Sequence, residues 1–441
     1  MTLVDHLSDA PAGAPVAAPR LSRMAESLYG SAILGIAAEI RAMVAGGTPL
    51  CNLTVGDFSP AEFRIPAGLE QRILAALARG ETNYPPSNGM PAMREAVARL
   101  YRDTLGLDVD AASVVICGGS RPAIYATYRC LVDPSDRVVY PAPSWNNDSY
   151  VIVSDAEGVA VPCDASSDFL PTRAALEPVI GGARLLALNS PLNPAGTAFD
   201  AEALGGICDL VLEENARREA AGERPLYVMY DQVYWMLRFG NTPHVDPVGL
   251  RPEMARYTVF VDGISKAFAA TGLRVGWVVP PRDLAGKFSD FLGHVGAWAP
   301  RAEQAAAAEF LAATGEVDEY VASIRSGVEA RLDALHEGFV AMRERGLPVD
   351  VARPMGAIYL SARFALLGRR TPDGDVLATN EDVRRYLLRA AGFAVVPFQA
   401  FGVEAEDGWF RLSVGAVSLA AIAEALPRVE AAVAAVAAPT G

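Results

Sequence analysis

A mostly parallel α/β sheet covered on both faces by helices, with a smaller α+β domain beside it, is the fold this sequence predicts. Two observations lead there. Short β-rich runs alternate with amphipathic helical stretches through the middle of the chain, and the last third turns to long helical text followed by scattered strand-like runs. Alternation of the first kind implies right-handed β-α-β crossovers and a sheet buried on both sides, hence three layers.

The β-rich runs are Val114–Cys117, Arg137–Trp145, Leu185–Pro191, Pro225–Asp231 and Thr258–Lys266, with helical patterns such as Ala201–Ala220 between them. Polar or glycine-rich residues follow most of these runs. Ligands of such sheets bind at the carboxyl ends of the strands, which is where those polar residues fall. Further on, helical text runs from Ala302 to Arg345, then strand-like Gly356–Leu360, Phe393–Phe398 and Trp409–Gly415, and an Ala-rich helix closes the chain. The expected division is a leader over 1–20, a large domain over 61–305, and a small domain made of 21–60 together with 306–441. The leader is rich in Ala and Pro, with no basic start and no long apolar run; it reads as a mobile segment rather than a signal peptide or anchor.

With 441 residues, 51% of them hydrophobic, the chain can bury a large core. A net charge of −14 argues against nucleic acid or an anionic membrane as the main partner. Four histidines and five scattered cysteines (Cys51, Cys117, Cys130, Cys163, Cys208) show no metal-ligand spacing. An odd cysteine count without a framework fits a reducing compartment, so a cytoplasmic protein is expected.

The strongest local signal is the stretch Gly263–Gly276, with Ser265, Lys266 and, eight positions on, Arg274. A lysine at a strand end between small residues suits a bulky group approaching the backbone. Desolvation beside an arginine lowers the amine pKa, as nucleophilic attack on a carbonyl requires. Asp231 ends another run, with Tyr234 three residues on. Gly118-Gly119-Ser120-Arg121 lies between a strand and a helix, where exposed N–H groups form an anion site. Singly, each has a plainer reading. Lys266 alone is a solvated lysine, Asp231 a helix cap, Asn193 in Asn189–Thr197 part of a Pro-Gly turn, and Trp145 after Pro143 a core aromatic.

Taken together and in this order, these segments resemble the class I/II aminotransferases, members of the fold-type I family of enzymes that use pyridoxal 5′-phosphate (PLP). The resemblance spans about Tyr29 to Gly415. It implies the PLP-dependent transferase fold type I, with PLP held on Lys266 as a Schiff base. Asp231 would pair with the pyridine nitrogen, and Tyr234 and Asn193 would meet the ring oxygen. Gly119, Ser120, Arg121, Ser265 and Arg274 would cradle the phosphate end, and Trp145 would stack on the ring. Tyr84, in Asn83–Gly89, would reach the cofactor of the other subunit, making a homodimer with composite sites. Arg411, Asn193 and the backbone at Gly56 would grip the substrate carboxylate.

The activity implied is amino transfer between an amino acid and a 2-oxo acid by a ping-pong route, with Lys266, Asp231 and Tyr234 carrying the catalysis. The alternative is a PLP-dependent lyase or C–C bond-forming enzyme, since the fold supports both. A DNA-binding regulator would need an added basic domain, and a nicotinamide dehydrogenase a G-x-G-x-x-G after a strand; neither is seen. The sequence departs from the family at Ala195, usually Thr, and at Phe398, where many relatives carry Gly, so a reshaped substrate pocket is expected. His294 and Trp298 stand in the segment that supplies a distal-carboxylate arginine in dicarboxylate-specific relatives, which leaves an aspartate preference open.

Overall fold

The computed structural model describes residues 21–30, 35–36, 40 and 50–436. The leader over 1–20, the last residues 437–441 and parts of 31–49 lie outside these described residues. Thirteen strands are described, in three sheets. A two-residue strand, β1 (Cys51–Asn52), comes first. The seven strands of the central sheet are β2 (Val115–Cys117), β3 (Arg137–Ala142), β4 (Glu157–Pro162), β5 (Ala183–Asn189), β6 (Tyr227–Asp231), β7 (Thr258–Gly263) and β8 (Gly276–Val279). Their spatial order is β2-β8-β7-β6-β5-β3-β4.

Burial of both faces explains why these strands read as nearly unbroken apolar runs. Successive side chains alternate between two cores. Val115, Val138, Leu185, Met229, Val259 and Val278 pack on one side against helices Ser120–Leu131 and Ala285–His294. Ile116, Val139, Leu186, Val228, Phe260 and Trp277 pack on the other with helices Pro91–Leu105, Ala201–Ala221 and Arg301–Ala312. Each such side chain contributes about 1.5–3 kcal/mol on burial. The helices are bounded as their sequences direct. Asp200 caps Ala201–Ala221 by accepting from Ala203 N at 2.7 Å, and Gly222 ends it in the left-handed region at φ 68°.

Two strands of the central sheet escaped the sequence reading. β4 pairs parallel with β3 at the sheet edge, and its mixed burial blurs the apolar pattern. β8 runs antiparallel to both β2 and β7. The link from β7 to β8 is short, with no crossover helix, so the chain reverses instead of crossing over. Ala269 and Arg274, at φ 49° and 54°, make that turn. Glycine meets glycine where the strands close up: a Cβ on Gly276 would come 2.5 Å from the carbonyl carbon of Gly119.

Three expectations need correction. Lys266 does not end the strand; β7 stops at Gly263, and the lysine sits on the one-turn helix Ile264–Ala267. The helical text after residue 302 is broken at Ala313 into Arg301–Ala312 and Thr314–Glu344. The run Phe393–Phe398 divides between sheets, because β11 (Phe393–Ala394) pairs with β1 while β12 (Val396–Pro397) pairs with β13 (Trp409–Ser413). β9 (Val349–Val351) and β10 (Tyr359–Phe364) complete that four-stranded sheet, in the order β12-β13-β10-β9. Its core is a separate apolar cluster that includes Phe339, Phe364, Phe393 and Phe410.

Strand register sets the level of the polar ends. Asn189 of β5 lies opposite Asp231 of β6, and Asp231 opposite Val261 of β7. The last residues of adjacent parallel strands therefore stand side by side, with the Lys266 turn just beyond.

Candidate active site

A cavity of about 700 Å³ opens at these carboxyl ends. Lys266 enters it from the turn after β7, and its Nζ donates to the Gly56 carbonyl at 2.8 Å. Burial pushes the amine pKa down to about 8. Asp57 opposes that shift, while the positive charges of Arg411, Arg121 and Arg274 add to it. The expected depression is therefore present, with desolvation as its main cause and Arg274 only one of three cationic neighbours.

Asp231 faces the same space from the end of β6. Its carboxyl lines the cavity, and burial raises its pKa to about 7 against the pull of Val233 N–H and Lys266. Val233 N donates to it at 3.2 Å. Asn189 ties the strand ends together: its Nδ2 donates to the Asp231 carbonyl at 2.8 Å, and its Oδ1 accepts from Asn193 N at 2.8 Å. That bond orients Asn193 toward Arg411, whose Nη1 donates to Asn193 Oδ1 at 3.2 Å.

Arg411 comes from the middle of β13 and is 1% exposed. Its second amino group donates to the Thr54 carbonyl at 2.8 Å, and its Nε is buried without a hydrogen-bond partner. Tyr359 and Phe401 sandwich the guanidinium, each ring centroid 4.8 Å away. No carboxylate among the described residues pairs with it. A buried guanidinium held by carbonyl oxygens and aromatic rings is arranged to take an anion from outside the chain.

At the other end, Gly119 (φ 92°) starts the helix Ser120–Leu131. Arg274 lies against it, donating to the carbonyls of Thr271 at 2.7 Å and Gly118 at 2.9 Å. A Cβ on Gly119 would fall 2.2 Å from an Arg274 nitrogen, so only glycine admits the guanidinium there. Helix amides and an arginine together make an anion cradle. Ser120, Arg121, Trp145 and Ser265 also line the cavity, and the Arg121 guanidinium stacks on Trp145 at 4.5 Å.

Most of the residues singled out in the sequence therefore meet in one place. Gly119 shapes the cradle from behind without lining it. Tyr84 lies outside the cavity; it is 80% exposed, and its ring packs edge-on against Trp298 at 5.2 Å. Phe398 does not line the cavity; it is buried against Phe169 and against Phe401, the ring that faces Arg411. The sequence reading missed Asp57, Tyr359 and Phe401. Asp57 accepts from the Thr271 hydroxyl at 2.7 Å. The hydroxyls of Tyr359 and Tyr234 lie 2.8 Å apart. Asp57 had a signal in its adjacency to Gly56, whereas the two aromatics read as ordinary core.

A lysine and a carboxylate facing one cavity, at the strand ends of a doubly covered sheet, are arranged as an α/β enzyme site would be. The comparisons with known proteins give the family: residues 48–429 match the model of "Aminotransferase class I and II", and the chain belongs to that family. The aspartate aminotransferase of Rhizobium meliloti (strain 1021) is 30% identical over 405 residues, covering 91% of this chain and 93% of the relative. That of Geobacillus stearothermophilus is 30% identical over 416 residues, covering 93% and 98%. The crystal structure of the Rhizobium meliloti aspartate aminotransferase superposes with a TM-score of 0.85 at 28% identity, covering 95% of this chain and all of that one. The Thermus thermophilus aspartate aminotransferase with maleate gives 0.82 at 26%, covering 94% and 100%. The fold is fold type I, and the protein is an aminotransferase.

Proposed function

We propose that this chain moves the amino group of an amino acid to a 2-oxo acid on PLP held by Lys266, alternating between two half-reactions. One observation carries the reading: Lys266, Asp231 and the carboxylate-free Arg411 converge on a single cavity. The fit to PLP is supported at both ends. The Gly119–Arg274 cradle is too tight for any Cβ and presents amides and a guanidinium to a phosphate, and Asp231 offers a buried carboxylate to a ring nitrogen. When bound, PLP supplies an aldehyde to capture the substrate amine and a ring that withdraws electrons from the α-carbon.

The remaining work belongs to side chains. Lys266, with its pKa near 8, is available as a neutral base to take the α-proton and return it one carbon away. Asp231, as an anion, would keep a ring nitrogen protonated. Arg411 binds the α-carboxylate with Asn193 and the backbone at Gly56. Tyr234 would meet the ring oxygen, and Ser120, Ser265, Arg121 and Trp145 would hold the cofactor's phosphate end and ring. Aspartate is the donor named for the relatives. Of the three arginines lining the cavity, Arg121 and Arg274 are taken up by the phosphate end and Arg411 by the α-carboxylate, so the acidic donor rests on the relatives' names.

The domain division at residues 61–305 is part of this proposal, supported by a seven-stranded sheet built wholly from 115–279 and a four-stranded one wholly from 349–413. So is a homodimer in which the exposed Tyr84 enters the partner's site. A cytoplasmic location is in keeping with the cysteines, which are all free. Among the described residues no helix is long and apolar enough to cross a membrane, and no cluster of His, Cys, Asp and Glu is placed to hold a metal.

The test is a donor panel read by absorbance on the PLP-loaded protein. Adding an acidic amino acid alone should convert the cofactor to its amine form and release one 2-oxo acid per site. Lys266→Ala should lose the covalent absorbance band and nearly all turnover. Wild-type rates in that variant, or a product other than the 2-oxo acid, would overturn the proposal.

A further inference from the structure

Tyr359 opens β10, is 1% exposed, and touches three groups at the cavity. Its hydroxyl lies 2.8 Å from that of Tyr234. Its ring lies against the Arg411 guanidinium, 4.8 Å from ring centroid to central carbon. The same hydroxyl stands 3.0 Å from where a Gly56 Cβ would be, beside the carbonyl that receives Lys266. No other side chain among the described residues is shown in contact with both Arg411 and Tyr234.

We propose that Tyr359 is a positioning residue that couples the carboxylate anchor to the cofactor: its ring holds Arg411, and its hydroxyl, by donating to Tyr234, turns the Tyr234 O–H toward the cavity. This inference rests on the PLP reading above.

The direction of the bond follows from proton counting. One hydrogen bond joins the two hydroxyls, so one of them donates. If Tyr234 donated, only its lone pairs would face the cavity and an anionic ring oxygen would meet repulsion. If Tyr359 donates, the Tyr234 proton is free, and the chain Tyr359 to Tyr234 to acceptor is mutually reinforcing. The local charges favour the second arrangement. Burial raises both phenols and, with the neighbouring Tyr359, holds Tyr234 well above its ordinary range, while Arg411 lowers both and is the main influence opposing burial at Tyr359. The stronger acid of the pair is the better donor. The charged groups around the pair are Arg411, Asp57, Asp231 and Lys266. A carboxylate arriving on Arg411 cancels the positive charge that sharpens the Tyr359 acidity, so occupancy of the anchor is felt at the Tyr234 hydroxyl.

The test uses the PLP-loaded protein without substrate, titrating its visible absorbance with pH. Tyr359→Phe keeps the ring and removes the proton donor. The midpoint should rise by about half a pH unit, because a weaker donor leaves the ring oxygen more basic. The same substitution in a Tyr234→Phe background should add no further shift. Maleate affinity, read by the same absorbance, should stay within about twofold in Tyr359→Phe and fall about tenfold in Tyr359→Leu, which also loses the ring. An unchanged midpoint in Tyr359→Phe overturns the inference, and so does an equal shift in both backgrounds. If wild type forms no visible band with PLP, the functional reading itself fails, an outcome distinct from either of these.

Discussion

The Lys266 amine donates across 210 residues of sequence to the carbonyl of Gly56, 2.8 Å away. The bond ties the turn after β7, in the large sheet, to the segment after β1, which pairs with β11 beyond the four-stranded sheet. Gly56 is crowded on its far side, where a Cβ would meet the Tyr359 hydroxyl at 3.0 Å and an Arg411 nitrogen at 3.5 Å. Gly56→Ala should therefore displace the carboxylate anchor by a few tenths of an ångström and leave the cofactor cradle alone. The expected result is a KM for the amino donor raised about three- to tenfold, with PLP content unchanged. Steady-state kinetics beside an absorbance measurement of bound PLP check this, and a loss of PLP without a change in KM would contradict it.

Asp231 ties stability to pH. Its folded pKa is raised from 3.8 to about 7, so between those values the folded state holds a proton that the unfolded state releases. In the cofactor-free protein the buried carboxyl thus costs nothing below pH 3.8, costs progressively more up to about 7, and the full amount above it. The full cost is on the order of 4 kcal/mol. Asp231→Asn should remove this slope. Relative to wild type, the cofactor-free variant should gain stability between pH 4 and pH 8, read by denaturant unfolding, while transamination falls about a hundredfold or more. Parallel stability curves for the two proteins across that range would show that burial does not govern this carboxyl.

Much of this site was legible because its chemistry sits on short segments that pair a special residue with glycine. Gly119 beside Ser120, and Gly263 and Gly276 flanking Lys266 and Arg274, mark close backbone approaches whatever the rest of the fold does. The strands of the central sheet were legible for a different reason, since burial on both faces gives unbroken apolar runs. β8 was not, because four residues after a tight reversal look like the continuation of a loop. Tyr359 and Phe401 were illegible in principle: an aromatic that faces a guanidinium and one that faces a core carry the same letter. Only the packing of β10 against β13, which sets Ser361 opposite Arg411 and leaves Tyr359 two residues before it, shows which is which.

The phosphate cradle makes a steric prediction. Gly119 has φ 92° and ψ 175°, a region that side chains other than hydrogen avoid, and a Cβ there would also collide with the Arg274 guanidinium. Gly119→Ala should cost about 1–3 kcal/mol of stability and weaken PLP binding about ten- to a hundredfold. Gel filtration followed by absorbance reads the cofactor retained, and thermal unfolding reads the stability. Full retention of PLP would mean that the phosphate group does not rest at this helix start.

Tyr84 separates a site built by one chain from a site built by two. In a single chain it is 80% exposed and lies outside the cavity, so any part it plays must come from a neighbouring copy. Tyr84→Ala should lower activity about ten- to a hundredfold through weaker hold on the phosphate. Mixing it with inactive Lys266→Ala, after unfolding and refolding together, then gives a sharper readout. In a mixed dimer one site carries both defects and the other carries neither, because the intact Lys266 and the intact Tyr84 come from opposite chains. Random pairing makes half the dimers mixed, with one good site in two, so about a quarter of wild-type activity should return. If Tyr84 served the site of its own chain, no intact site could form in any pairing and the mixture would show only about half the residual activity of Tyr84→Ala.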